Sequence, residues 1–445
     1  MRKIIVRDTR QIAPFNEPAR DLRVMNKPLW LWQRDVLTRY CQEEREVASL
    51  SQVPTDAVET LVYRDNLFFD QPFIDAFIAE ARRQRKPVRV AFSASDGAIA
   101  THALPLNNGF EKHDNLLLAD LWYYPFGVQP NPRPLVIDTQ PREVGYYHVP
   151  TYMSTEKGEL VFQLPLRAFL PIEHWIHVHI ANVIFGLFTV GARYEQTVKG
   201  PGMLVFLANM RILARALIEQ KQVISCSAVV KMGRNVHIDP TAMIQGPTVI
   251  GDNVTIGAGA VIDACHIGSN VTISNGCCLM LSVVSDGCFL PFRAALFETT
   301  LMENTIVAQN TCLQMCVVGR NSFIGAGSTF TDFNLLPTPL RALYEGKLVP
   351  TGMPVLGSCV GHNCRLGSGL VVYPARMIES DVVLFASPER RVVSGNITFE
   401  QSDHHKTRYA HLHPRLYPRA DEIEAEKQLF LAKKRERQKA RAGAG

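Results

Sequence analysis

The first glycine of this 445-residue chain is Gly97. Glycine is what lets a backbone take positive φ cheaply or approach a phosphate closely, so no glycine-rich phosphate loop stands ahead of that position. Cationic side chains are missing from a second stretch: residues 294 to 319 hold no Lys, Arg or His, and Arg293 and Arg320 flank the gap. A dianionic group has no charged partner there. The ten cysteines form no C-x-x-C pair, which argues against a zinc framework and for reduced, mostly buried thiols. Charge of neither sign dominates. Lys and Arg number 47 against 42 Asp and Glu, and much of the net +5 lies in "AKKRERQKARAGAG", so nucleic acid is not an expected partner of the folded body. The opening "MRKIIV" runs into Arg7 and Asp8 without the apolar core of a signal peptide. The longest apolar run, residues 176 to 190, is broken by His177, His179 and Asn182 and is shorter than the roughly 20 residues of a membrane span. A cytoplasmic protein without a membrane span is expected.

What the sequence does contain is a repeat. Ile238, Ile244, Ile250, Ile256 and Ile262 recur at a spacing of six, slip by one residue at Ile267, Ile273 and Leu279, and lose clarity from 284 to 317. Val318, Ile324 and Phe330 resume the spacing, and after an excursion to about 353 it returns at Val360, Leu366, Val372, Ile378 and Leu384. Neither an α-helix nor an ordinary strand has a period of six. Hexapeptide units of this kind each make a short strand, and three close one triangular coil with the aliphatic side chain inside. Residues 223 to 390 are therefore expected to form a parallel β-helix. In known hexapeptide folds this helix is left-handed, an exception to the usual crossover rule, and is usually a homotrimer with ligand sites between shafts.

The flanks have other patterns. Residues 1 to 170 alternate strands ("RKIIV", "TLVYR", "PVRVAFS", "RPLVID") with helical stretches ("PLWLWQRDVLTRYCQEE", "QPFIDAFIAEARRQ"), the signature of an α/β domain with a largely parallel sheet. Residues 171 to 222 are predicted to be a helical connection. Residues 391 to 445 form an extension that ends in a helix from about Asp421, acidic first and basic last, as the helix dipole favours.

Three segments in order, "GPTVIGDNVTIGAGAVI", "VVGRNSFIGAGSTFTDFN" and "TGMPVLGSCVGHNCRLGSGLVVYPARMI", resemble the β-helix of the bifunctional glucosamine-1-phosphate acetyltransferase / N-acetylglucosamine-1-phosphate uridylyltransferases and their archaeal sugar-1-phosphate counterparts. "VMNKPLWLWQRDVL" and "LVYRDNLFFD" resemble motifs of the family's nucleotidylyltransferase domain. The resemblance spans most of residues 1 to 390. It implies an α/β nucleotidylyltransferase-like domain joined to a left-handed parallel β-helix, with Lys27 at a substrate lysine and Asp65 at the aspartate that holds magnesium. It also implies acetyl-CoA as acyl donor and a sugar or sugar phosphate as acceptor.

The chain departs from that pattern in two places. Where the family has "GxGTRxxPL", this chain has "VRDTRQIAPF", and Arg64 replaces the glycine before the metal aspartate. In the acyltransferase half the alignment puts Gln309 where the family has its histidine base, and glutamine cannot take up a proton near neutral pH. Arg293, Gln309, Arg320 and Asn334 remain as candidate substrate contacts. His362, in "CVGHNCRLG", is the candidate replacement base, because imidazole titrates near pH 7; the competing expectation is a solvent-facing corner residue. "HWIHVH" sets His174 and His177 three apart, close enough on a helix to share a ligand, against a packing role. "DHHKTRYAHLHP" reads as a surface segment rather than a zinc site.

Two functions compete on these residues. One is CoA-dependent acyl transfer to a sugar, with His362 as base. The other is a catalytically inactive trimeric scaffold or regulator that keeps both folds. Sugar-1-phosphate nucleotidyl transfer is a third, and it lacks a phosphate cradle.

Overall fold

The structure is a computed structural model that describes residues 1–149, 158–199, 202–334 and 338–442. The α/β half is built on strands β1 (Arg2–Val6), β2 (Glu43–Val47), β3 (Thr60–Arg64), β4 (Val88–Ser93), β5 (Glu111–His113), β6 (Leu116–Tyr124) and β7 (Arg133–Val136). Their order is β7-β4-β6-β3-β1-β2, with β5 paired to β6. β1 is parallel to β2 and β3, while β6 runs antiparallel to β3 and β4. Helix α1 (Leu29–Leu37) is shorter than the helical stretch 28 to 44 that the sequence predicts, and Glu43–Val47, which begins at the end of that stretch, is an edge strand. Only Val47 of it is buried, so no alternation marked it. Helix α2 (Gln71–Gln84) spans the predicted stretch, and its Asp70 N-cap accepts from the Phe73 N–H.

The shaft is a left-handed β-helix of three eight-stranded parallel sheets. On its first face the inward residues Ile250, Ile267, Val284, Leu301 and Val318 stack in register, and partners in successive coils lie 17 residues apart. Inward positions are thus spaced six, six and five. The blurred stretch 284 to 317 is this same coil, seen without its one-residue corner slip. The residue after each first-face strand lies against the next coil: a Cβ at Gly251 would lie 2.6 Å from the Gly268 carbonyl carbon, which accounts for the repeated Ile-Gly pairs. The strands continue to Val392–Val393, just past the expected limit of 390.

Helix α3 (Trp175–Lys199) is long and apolar enough to cross a membrane by composition, yet 83% of its most apolar window is buried inside the protein. Trp175, Ile176, Ile180 and Ile184 of α3 join one hydrophobic core with Val283, Val317 and Met377 on the outside of the shaft's first face. An insertion between Val318 and Val360 carries the hairpin Arg341–Tyr344/Lys347–Pro350 and adds Leu340, Ala342, Val355 and Leu356 to that core. The two folds therefore share one interior. Helix α4 (Met203–Glu219) then leads to the first coil, and α5 (Ala420–Ala442) follows the last.

Candidate functional site

The segment between β1 and α1, where the resemblance implied a phosphate loop, forms a small hairpin, Gln11–Ile12 with Glu17–Pro18. Its tip is docked on the shaft. Ser380 N–H and Oγ donate to the Pro14 carbonyl, both at 3.0 Å, and Asn16 Nδ2 donates to Glu379 at 2.8 Å.

His362 lies under this tip and is fully buried. Its Nδ1 accepts the Arg320 backbone N–H at 2.9 Å, so the ring proton is on Nε2, which faces Glu17 Oε1 at 3.0 Å. Phe15 and Tyr417 pack on the imidazole with ring centroids 5.0 and 4.7 Å away. The Arg320 guanidinium forks onto Glu17 at 2.7 and 2.8 Å. Burial pushes His362 below its usual pKa against the pull of Glu17. Burial opposes ionisation of Glu17, but His362 and Arg320 outweigh it and hold the carboxyl below its usual range. The group is a neutral imidazole donating to a carboxylate, itself salt-bridged to arginine. His362 is thus neither the solvent-facing corner residue nor an open base: both ring nitrogens are occupied and no surface reaches it.

The C-terminal extension closes over the same joint. Arg415 and Arg419 grip Glu379 at 2.6 and 2.5 Å, and the Tyr417 carbonyl accepts from Asn16 at 3.0 Å. None of Phe15, Asn16, Glu17, Glu379, Tyr417, Arg415 or Arg419 belongs to a recognisable motif. The only hint was negative, a phosphate-loop position without glycine.

Asp65 directly follows β3, and its carboxylate is enclosed. Oδ1 accepts the Asp8 N–H at 2.7 Å, and Oδ2 lies 3.1 Å from Arg20 and 3.3 Å from Arg7. Burial raises its pKa despite the arginines. Guanidinium groups stand where a magnesium ion would need open oxygen, so the residues present do not fit that metal. Lys27 pairs with Asp35 at 2.5 Å on the surface. Beside Asp65 opens a cleft of about 270 Å³, lined by Arg10, Arg64, Arg89, Glu111, Asp120 and Glu173 among others. Its charges neutralise one another: Arg10 meets Glu173 at 2.7 Å, Arg64 meets Asp120 at 2.7 Å, and Arg89 bridges Asp120 and Glu111 at 3.0 and 2.5 Å. Such a wall offers alternating donors and acceptors without a net field for a polyphosphate.

The shaft candidates do not converge. Arg293 and Gln309 sit on the corner between the second and third faces, Arg320 and His362 on the corner between the first and second, and Asn334 Nδ2 bonds to Thr338 in the insertion. His174 and His177 cap α3 with Nδ1 and contact the Leu343 and Pro105 carbonyls with Nε2, which leaves no nitrogen for a shared metal. His404 accepts or donates at Ser402 Oγ, 2.6 Å away, and Ser402 in turn holds Val383 of the last coil, so the histidine-rich stretch is a packed surface segment.

Comparison with known proteins agrees with the shaft. The family described as bacterial transferase hexapeptide (six repeats) matches residues 230–264. The protein called bifunctional protein GlmU is 22% identical over 169 residues in Ruthia magnifica, 23% over 183 in Pseudoalteromonas atlantica and 26% over 168 in a Geobacillus species. The chain is a divergent relative of GlmU. The matches cover 34%, 37% and 35% of this chain, and 37%, 40% and 37% of those proteins, so it spans well under half of their length. A solved Bacillus cereus protein assigned as an acetyltransferase covers 38% of this chain and 85% of its own at 14% identity, with a TM-score of 0.17, too low to bear on the fold.

Proposed function

We propose that this GlmU-like protein is a non-catalytic, cytoplasmic homotrimeric scaffold or regulator whose α/β cleft binds a neutral, hydroxyl-rich ligand of the sugar class. The carrying observation is the joint itself: the hairpin that includes the end of the nucleotide-loop position meets the candidate replacement base, through Glu17, Arg320 and His362. Acyl transfer from a CoA thioester needs a base with an accessible lone pair. His362 has none, Gln309 cannot serve, and Arg293 and Arg320 stand on different edges. Nucleotidyl transfer needs a metal and a cradle for phosphates; Asp65 is tied to arginines and the cradle is a docked hairpin. What persists is the 270 Å³ cleft with its paired charges, suited to hydroxyl groups that both donate and accept.

The test is direct. The purified protein is incubated with acetyl-CoA and a panel of amino sugars while free thiol is followed, and its melting temperature is read with UTP or dTTP plus magnesium and, separately, with a panel of neutral sugars. No thiol release and no nucleotide shift are expected, with a shift for neutral sugars alone. Thiol release that disappears in His362→Ala would establish the acyltransferase instead.

A further inference from the structure

Helix α4 is apolar on two opposite sides. One side is used within the chain: Ile212 and Ala216 are buried against Cys226 and Val229. The other faces solvent with Met203, Phe206, Leu207, Met210, Leu213, Leu217 and Ile218, between 43% and 77% exposed. A helix with two apolar sides is stable when both are buried, and among the described residues nothing in its own chain covers this second side. Met203, Phe206, Met210, Leu213 and Leu217 alternate three and four apart, the 3.5-residue period of a coiled-coil seam, in the a and d positions. Leu207 and Ala214, each next to a d residue, widen the stripe beyond the strict a/d line that suits two helices. The seam is also continuous with the shaft. After α4 the Ile224 carbonyl accepts the Gly246 N–H at 3.0 Å, placing exposed Val223 and Ile224 beside exposed Met243 on the third face. Further exposed apolar residues, Met280, Tyr373 and Val392, continue along that face.

We infer that the outward side of α4 is the assembly seam of the protein, occupied by α4 of two further copies of this chain in a parallel three-helix bundle set at the foot of the shaft. This rests on the homotrimeric reading above but assigns its contact to a helix outside the repeats. Three parallel shafts side by side bring their α4 helices together in register, as a heptad seam requires.

Light scattering on the full chain tests it. Wild type is expected at three times 49.7 kDa, and the double variant Leu213→Glu/Leu217→Glu at a single chain mass with unchanged circular dichroism, since both side chains are exposed in the isolated chain. Mild oxidation of Leu213→Cys should give a covalent dimer in most molecules, and Arg211→Cys, on the flank, should not. A double variant that stays trimeric overturns the α4 assignment and leaves the trimer standing. A wild type of single chain mass overturns both. If that single chain binds phosphatidylcholine/phosphatidylglycerol vesicles and the double variant does not, the face belongs to lipid and the inference fails.

Discussion

Glu17 Oε1 lies 3.0 Å from His362 Nε2 and 2.7 Å from Arg320 Nη2. One carboxylate from the α/β half thus binds two side chains of a shaft corner, and the core shared by the two halves makes the two folds a single cooperative body.

Replacing Glu17 should therefore cost more than a surface ion pair. Glu17→Ala leaves buried His362 and Arg320 without their partner, which for a broken buried pair amounts to about 3–5 kcal/mol. Calorimetry should show the single heat peak of the wild type dividing into an α/β transition and a later shaft transition. A variant that melts as one peak at the wild-type temperature would refute the joint.

Acid should loosen the α/β half first. His102 and His177 are pushed down to about 4, and His174 and His179 to about 3, by burial above all. Folded, they are neutral; unfolded, they take up protons near pH 6.5. Their stabilising effect is complete above that pH and is lost as pH falls towards 4, each histidine contributing about 1.4 kcal/mol per pH unit across the window. Urea midpoints at pH 7.5, 6 and 5 should fall progressively more steeply.

Glu298 should be replaceable with gain. It is fully buried, neither carboxyl oxygen has a hydrogen-bond partner among the described residues, and burial with nearby Asp332 raises its pKa well above the usual range. Leu281 and Met315 occupy the same left-handed corner position in the coils before and after it. Glu298→Met should stabilise the protein at pH 7 by about 1–3 kcal/mol, the cost of a buried unsatisfied polar group. Because the folded pKa is raised, the gain should appear as pH rises above about 4.3 and shrink in acid. A lower melting temperature at pH 7 would show that the carboxyl has a role the chain alone does not reveal.

Metal removal should be silent. With Asp65 held by Arg7, Arg20 and the Asp8 amide, dialysis against EDTA should leave the melting temperature unchanged, and added magnesium should not raise it. A rise of a few degrees with magnesium would mean that the ion displaces the arginines.

The shaft was legible because its signal is strictly local: one inward aliphatic every six residues, and a glycine where coils touch. Even the obscure stretch was periodic once the corner slip recurring at Ile267, Val284 and Leu301 was counted. The joint was not legible, since Glu17 meets His362 across 345 residues and no spacing rule links a hairpin tip to a corner of a repeat. For the same reason His362 looked like a base: the sequence shows an imidazole on a coil whose family base is replaced by Gln309, and not its neighbours in space, Phe15, Glu17 and Tyr417. β2 was missed because an exposed edge strand of charged residues carries no apolar alternation.

Gln11 receives the Ala420 N–H on Oε1 at 2.7 Å and donates from Nε2 to the Pro418 carbonyl at 3.1 Å, while Arg419 beside them holds Glu379 of the shaft. The root of α5 is thus bolted to both halves at once. A load drawn along that helix would pass into the α/β sheet and the β-helix together, which makes the tail a handle by which the whole subunit can be held.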